Sequence, residues 1–346
     1  MEDALIYLIV ILIATICSVF NIITIVIVLI DRKLRNSITN RPILSFLFAS
    51  TIQGLLPSPF YVYKKLEQED HIPNWICDGY RLPYFFCGHV MKISLVLISI
   101  DRLLAVRYPF KYEKFISKFK MTATLLLLWV VTLVIDILPF FIGDRNDGFC
   151  EYIPTRSWGL SVIIVYNLIS FCIILINYIL IWIVAAKFAF KDKSLKIRIE
   201  NKENRDSRLS QKSGSKVGEE DNNRENEKSY VSKRLKFAFE MKATKTSLAL
   251  IAVYVFCWGP LGVFYMIDHF CYNCLSDDDD LKLTRAFVKL LSFSSSILAP
   301  IVYCWWNRDF RKSARTLWNR HCIGKCVFKE KDEKNVTDSY GISQRN

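Results

Sequence analysis

Several common signatures are missing from this 346-residue sequence. No His, Cys, Asp and Glu cluster has metal-ligand spacing, no glycine-rich phosphate loop is present, and no nucleophile and base stand in a recognisable pattern. No enzyme, metal or cofactor is therefore expected. Self-similarity at a fixed period is absent, which excludes a repeat architecture. The first apolar stretch has no basic leading region and no small-residue cleavage site, and it is too long for a signal-peptide core. It reads as a retained membrane span. The most informative shortage is of charge inside the apolar stretches, which hold only Lys92, Asp136 and Lys289.

What is present is hydrophobicity: 52% of residues are hydrophobic and 14% aromatic. Runs near 20 residues, the length that crosses a bilayer, occur at about Ala4–Ile30, Ile43–Tyr63, Leu82–Ile100, Met121–Ile142, Ser161–Ala186, Thr246–Ile267 and Phe287–Trp305. Seven spans predict an all-α membrane protein. The formal charge of +13 taken alone suggests a nucleic-acid binder, but its distribution argues otherwise. Segments 31–42, 101–120, 187–246 and 306–346 carry +19, the alternating segments 1–4, 64–81, 142–158 and 268–285 carry −7, and the spans carry +1. Lys and Arg in short loops mark the cytosolic side, so the amino terminus is expected outside and the carboxy terminus in the cytosol. Inner-leaflet lipid is the simplest partner for the basic flanks, and no nucleic-acid partner is expected.

Residues 1–320 read as one membrane domain and 321–346 as a cytosolic tail. The polar stretch at about 191–233 lacks the apolar residues of a core and is expected to be largely disordered. Asn307–Trp318 is basic and amphipathic, the pattern of a short helix lying on the membrane surface. Cys322 and Cys326 follow it, either as palmitoylation sites or as free cytosolic thiols. The sequon Asn335-Val-Thr337 falls in this tail, where glycosylation is not expected.

Each span carries something a generic hydrophobic helix does not need. The first has Asn21, the second Pro59-Phe60, and the third Asp101-Arg102-Leu103 running on to Arg107-Tyr108-Pro109. The fourth has Trp129 with Pro139, the fifth Tyr178, the sixth Cys257-Trp258-Gly259-Pro260, and the seventh Ala299-Pro300-Ile301-Val302-Tyr303 followed by Phe310. In order and spacing this resembles the rhodopsin-like (class A) G-protein-coupled receptors, from residue 4 to about 320. The resemblance implies a seven-transmembrane helix bundle in the plasma membrane that binds an extracellular ligand and promotes nucleotide exchange on a heterotrimeric G protein. It implies arrestin and receptor kinases as further partners.

The resemblance also assigns roles. Asp101, Arg102 and Glu240, with Tyr178 and Tyr303, would form the coupling site, a charged latch between the third and sixth helices that opens on activation. Pro260 and Pro300 would kink their helices, with Trp258 and Tyr254 as the side chains a ligand displaces. Tyr84, Gly88, Trp258, Leu261, Tyr265, Lys289 and Phe293 would line the ligand pocket. Cys77 and Cys150 would form the disulfide that ties the second outer loop across it, on a side that faces an oxidising compartment. Cys271 and Cys274 are close enough for a small local bridge.

The departures from the family pattern are specific. Ser50 stands where a membrane-embedded aspartate is usual, Met91 and Ala299 replace its companions, and Ser170 replaces the fifth-helix proline. No sodium site of the family's type is expected, because a sodium ion needs several hard oxygen ligands including a carboxylate. The amine receptors of the family carry an aspartate where this chain has Tyr84, so a monoamine ligand is not expected. Lys289 would meet a ligand carboxylate or phosphate, or else pair with Asp268, while the run Asp277–Asp280 would attract a basic peptide. The expected ligand is thus a small anionic molecule or a short peptide. His89, Lys92 and Asp136 lie deeper, and a third–fourth helix ion pair is the reading of that group. A transporter or channel is the alternative from another class, weakened by the lack of paired halves with interrupted helices. A non-signalling seven-helix protein is the alternative that the altered motifs support.

Overall fold

The structure, a computed structural model, describes residues 2–66, 74–138, 141, 144–145, 152–153, 164–210, 220–270 and 279–319. It is a bundle of seven membrane helices. The first is α1 (Glu2–Ile30), linked by the single turn and a half of α2 (Arg32–Asn36) to the second span, α3 (Asn40–Leu55) and α4 (Pro57–Leu66). The third is α5 (Asn74–Arg107), followed by the short α6 (Tyr112–Phe115) and the fourth span, α7 (Lys118–Ile137). A π-helical stretch, Ile164–Ile169, opens the fifth span and continues as α8 (Ser170–Ser210). The sixth is α9 (Glu220–Phe270), the seventh α10 (Asp279–Trp306), and the amphipathic helix is α11 (Arg308–Trp318).

Local chemistry accounts for the element ends. Asp31 caps α2 by accepting from the Lys33 and Leu34 amides at 2.8 and 3.1 Å, Ser117 caps α7 through Lys120, and Asn307 caps α11 through Phe310. Pro57 cannot donate to the preceding turn, so the second span breaks at Leu56 and restarts as α4. Two features differ from the sequence expectation. Helix continues through 191–210 and resumes at 220 inside the stretch expected to be disordered, because its Lys, Glu, Arg and Leu residues are strong helix formers. The second outer loop adds a minimal antiparallel pair to an otherwise helical fold, β1 (Asp144–Arg145) with β2 (Tyr152–Ile153).

Packing turns the soluble-protein pattern around. Helix α5 is central, touching α3, α4, α7, α8 and α9. The outer faces are apolar: on α7, Leu126, Leu127, Val130 and Val134 all stand exposed. Such a surface is stable only in hydrocarbon, where the helices satisfy their own backbone groups. The interior holds the polar residues. Trp129 reaches inward to donate to Ser45 at 2.8 Å, Ser45 meets Ser94 at 2.9 Å, and Asn21 donates to Ser50 at 3.3 Å and to the Ser296 carbonyl at 2.9 Å. These bonds tie α7, α3, α5, α1 and α10 together where the hydrophobic effect gives no preference between helix and lipid. Gly54 lets α1 approach closely, since a Cβ there would lie 2.5 Å from the Ser18 hydroxyl. Among the described residues, four segments, Lys118–Ile137, Tyr166–Asp192, Glu240–Phe264 and Phe287–Trp306, are long and apolar enough to cross a membrane by length and composition alone.

Candidate functional site

At the cytosolic end of α5, Asp101 and Arg102 are almost fully enclosed, 0% and 2% exposed. The guanidinium donates from Nε and Nη2 to Asp101 Oδ2 at 3.1 and 2.5 Å, from Nη2 to Thr39 Oγ1 as well, and from Nη1 to Glu240 Oε2 at 3.4 Å. The fork of an arginine suits this, because five fixed donors can serve several acceptors at once. Tyr112 of α6 donates its hydroxyl to the other Asp101 oxygen. Burial, and then the Asp101 carboxylate beside it, pushes the Tyr112 phenol well above its ordinary value, so it is a donor at any physiological pH. The latch spans four elements, α3, α5, α6 and α9, and only the Glu240 contact leaves the α5 neighbourhood for α9. Glu240 is more accessible than Arg102, its side chain 16% exposed against 2%.

Tyr178 and Tyr303 flank this cluster differently. The Tyr303 hydroxyl donates to Asn40 Oδ1 at 3.3 Å, and its ring packs edge-on against Phe310 at 5.4 Å, which docks α11 under the bundle. The Tyr178 hydroxyl is buried with no hydrogen-bond partner, within electrostatic reach of Arg102. A buried orphan hydroxyl is costly.

Toward the outer side, aromatic rings form a continuous stack. Tyr80 stacks on Tyr84 at 5.5 Å, Tyr84 lies 5.7 Å from Trp258 and 5.4 Å from Phe293, and Trp258 stacks on Tyr254 at 5.6 Å. Three of the rings are fixed by polar tips. Tyr84 meets Ser292 at 2.7 Å, Trp258 Nε1 donates to Ser295 at 3.0 Å, and Tyr254 donates to the Gly88 carbonyl at 3.0 Å. Gly88 is required, because a Cβ there would sit 2.6 Å from the Trp258 ring. Leu261 is buried beside this stack, and Pro260 and Pro300 lie within α9 and α10. Lys289 is half-buried one turn before Phe293, its carbonyl accepting from Ser292. The Tyr265 and Asp268 side chains lie outside the described residues, as do Cys150, Cys271, Cys274, Cys322 and Cys326 and the side chain of Cys77. Cys87, Cys172, Cys257 and Cys304 form no disulfide among the described residues, and Cys17 is buried in α1.

The deep group forms a pair between the third and fourth helices. His89 and Asp136 pair across α5 and α7, Nδ1 to Oδ1 at 2.8 Å. Lys92 does not join that pair. It donates to Asn167 on the π-helical stretch and lies 5.5 Å from the Trp258 ring centroid. Thr39, Tyr112, Ser292 and Ser295 escaped the sequence reading. A lone Thr or Ser in a span has no distinctive signal, and Tyr112 reaches Asp101 only through the fold of the connecting segment.

Comparison with known proteins agrees with this architecture. Residues 20–303 match the family described as 7 transmembrane receptor (rhodopsin family). The alpha-1A adrenergic receptor of Oryzias latipes is 25% identical over 313 residues, 88% of this chain and 64% of that receptor. The histamine H2 receptor of Canis lupus familiaris is 26% identical over 307 residues, covering 86% and 75% of the two chains. The octopamine receptor beta-2R of Chilo suppressalis is 26% identical over 310 residues, covering 85% and 74%. The chain thus spans just under two thirds of the adrenergic receptor. With the family match running from the first span to Tyr303 and the family's motifs seated on successive helices of one bundle, this chain belongs to the rhodopsin family of seven-transmembrane receptors.

Proposed function

We propose that this receptor couples an outer ligand to nucleotide exchange on a heterotrimeric G protein, acting as a gated exchange factor and not as an enzyme. The observation that carries the reading is the closed Arg102–Glu240 contact, 3.4 Å long, lying on the same two helices as the aromatic stack around Trp258. Displacing Trp258 moves α9, and outward movement of α9 parts Glu240 from Arg102 and exposes Arg102 to the partner. The orphan hydroxyl of Tyr178 supports this, since a buried unpaired hydroxyl costs the closed arrangement free energy. The amino terminus and outer loops face outside, and the basic loops and tail face the cytosol.

The ligand is a small anionic molecule or a short peptide and not a monoamine. The relatives are named for adrenergic, histamine and octopamine signals. In this chain, however, the position that carries the amine-binding aspartate in such receptors is Tyr84. Its hydroxyl is committed to Ser292, and its ring is 1% exposed within an aromatic stack. An ammonium ion there would meet no carboxylate. Lys289 is the charged pocket residue and favours an acid. The test is a ligand screen against cells expressing the full chain and a panel of Gα subunits, read as G-protein dissociation. Acids, nucleotides, short peptides and biogenic amines are all included. An acidic agonist that loses potency in Lys289→Ala supports the reading, whereas a biogenic amine of full potency in both proteins overturns the ligand class.

A further inference from the structure

The His89–Asp136–Lys92 group, with the first two side chains buried and Lys92 half-buried, belongs neither to the cytosolic latch nor to the residues expected to line the pocket. His89 lies with its ring 4.1 Å from Tyr166 and nearly parallel to it, while Nδ1 faces both Asp136 oxygens, at 2.8 and 3.1 Å. That arrangement closes the interface of α5, α7 and the π-helical start of the fifth span, and it fixes an acid near Lys92. The Lys92 ammonium is then held by two neighbours on two other helices. Asn167 Oδ1 accepts its hydrogen bond, and the Trp258 ring lies within the distance at which a cation is attracted to an aromatic face. Ionisable groups at membrane depth are expensive and are retained where they act.

Trp258 is held from several sides: Gly88 against the edge of its ring, Tyr254 stacked below, Ser295 on Nε1, and Lys92 at 5.5 Å. Gly88 and Lys92 are four residues apart on α5, so one face of one helix presents both the space for the ring and the charge beside it. A displaced ring can find another hydrogen-bond acceptor or another apolar surface. The ammonium has no equivalent replacement in a low-dielectric interior, so it favours the conformer in which the ring stays.

We propose that Lys92 is a positioning residue that holds Trp258 in the resting conformer, with Asn167 and the His89–Asp136 pair holding Lys92 in turn. The proposal rests on the reading of Trp258 as the element whose movement releases α9. Lys92 therefore acts on the signalling equilibrium through Trp258, without touching ligand or G protein.

The experiment measures basal nucleotide exchange on a panel of purified Gα subunits, using membranes carrying the full chain and normalising to surface receptor. Lys92→Gln keeps a donor for Asn167 and removes the charge; Lys92→Met removes both and serves as the second neutral variant. Either neutral variant is expected to raise basal exchange by about 3- to 30-fold, the range that loss of a desolvated cation–aromatic contact allows. Lys92→Arg keeps a cation and is expected to restore the low basal rate, which a purely structural role would not predict. In a Trp258→Leu background, Lys92→Gln is expected to add nothing, because the two side chains act as a unit.

Basal exchange that is unchanged in both neutral variants at matched surface level overturns the proposal. So does an equal rise in the Trp258→Leu background. The underlying reading fails separately: Trp258→Leu alone then leaves basal exchange where it was. If Trp258→Leu changes basal exchange and neither neutral Lys92 variant does, only the tether is wrong.

Discussion

Arg102, buried, and Lys92, half-buried, are two cations on the same helix, ten residues and therefore about 15 Å apart. Arg102 sits at the cytosolic mouth among carboxylates, a threonine and a tyrosine. Its charge is met by Asp101 on its own helix before any other helix contributes. Lys92 sits at membrane depth and is touched by one amide oxygen and one ring face, with the Asp136 carboxylate near it, all three on other helices. The first cation stays satisfied when α9 leaves, because only Glu240 departs. The second loses a principal contact when Trp258 moves. Arg102 is thus suited to being handed from one partner to another, and Lys92 to opposing a displacement.

The largest expected effect comes from removing the cytosolic cation. Arg102→Ala should abolish receptor-driven exchange in a protein that still reaches the surface. It should also cost about 3 kcal/mol of stability, because Asp101 is left buried with only the Tyr112 hydroxyl. Exchange that persists in this variant would remove Arg102 from the coupling role and end its contrast with Lys92.

Gly88→Ala should come next, since the added methyl would lie 2.6 Å from the Trp258 ring. Overpacking of this kind costs about 1–3 kcal/mol, read as a lowered thermal midpoint of the purified receptor. An unchanged midpoint would mean that the ring relocates freely, which the Lys92 restraint does not allow.

A smaller effect is expected at the far side of the latch. Glu240→Gln weakens a long, partly accessible contact and should raise basal exchange by about 2- to 10-fold, the range of one net hydrogen bond. If basal exchange stays flat, the latch is held by Thr39 and Asp101 without α9.

The smallest effect belongs to the exposed Lys33–Asp309 pair, 2.9 Å long with Lys33 largely in solvent. Lys33→Ala should change the thermal midpoint by an amount equivalent to no more than about 0.5 kcal/mol. Beside it, the Ser313 hydroxyl, at 2.6 Å, holds the Asp31 carboxyl below the usual carboxylate range. That contribution is present above the ordinary carboxylate value and is lost only as pH falls through the lowered folded value. Spin-label distances between α2 and α11 should therefore not change between pH 8 and pH 6. A change within that window would assign the docking to a different titrating group.

Much of the bundle was legible in the sequence because lipid imposes a simple rule. A run near twenty apolar residues must be a helix, and basic loops fix its direction. The latch pair was legible through the family resemblance, which implies that Arg102 at the end of the third span meets an acid at Glu240 on the sixth helix. Lys92 was not legible in the same way. The sequence places it three residues from His89 and at a depth that suits Asp136, so pairing with the acid is the natural expectation. The structure gives the acid to His89, whose ring is clamped by Tyr166, and sends the longer lysine side chain to Asn167 and Trp258. Side-chain length and the direction of each helix face decide that exchange of partners, and neither appears in a list of spans.

Hydropathy and charge alone therefore determined that this chain crosses a membrane, and they set the expectation of which way its loops face. The cost of burying backbone and charge in hydrocarbon leaves little choice. Tertiary structure alone decided which buried polar groups meet: Tyr84 with Ser292, Tyr112 with Asp101, His89 with Asp136, and Lys92 with a tryptophan ring. Those pairings depend on how helices far apart in sequence rotate and pack to satisfy every polar group in a medium without water.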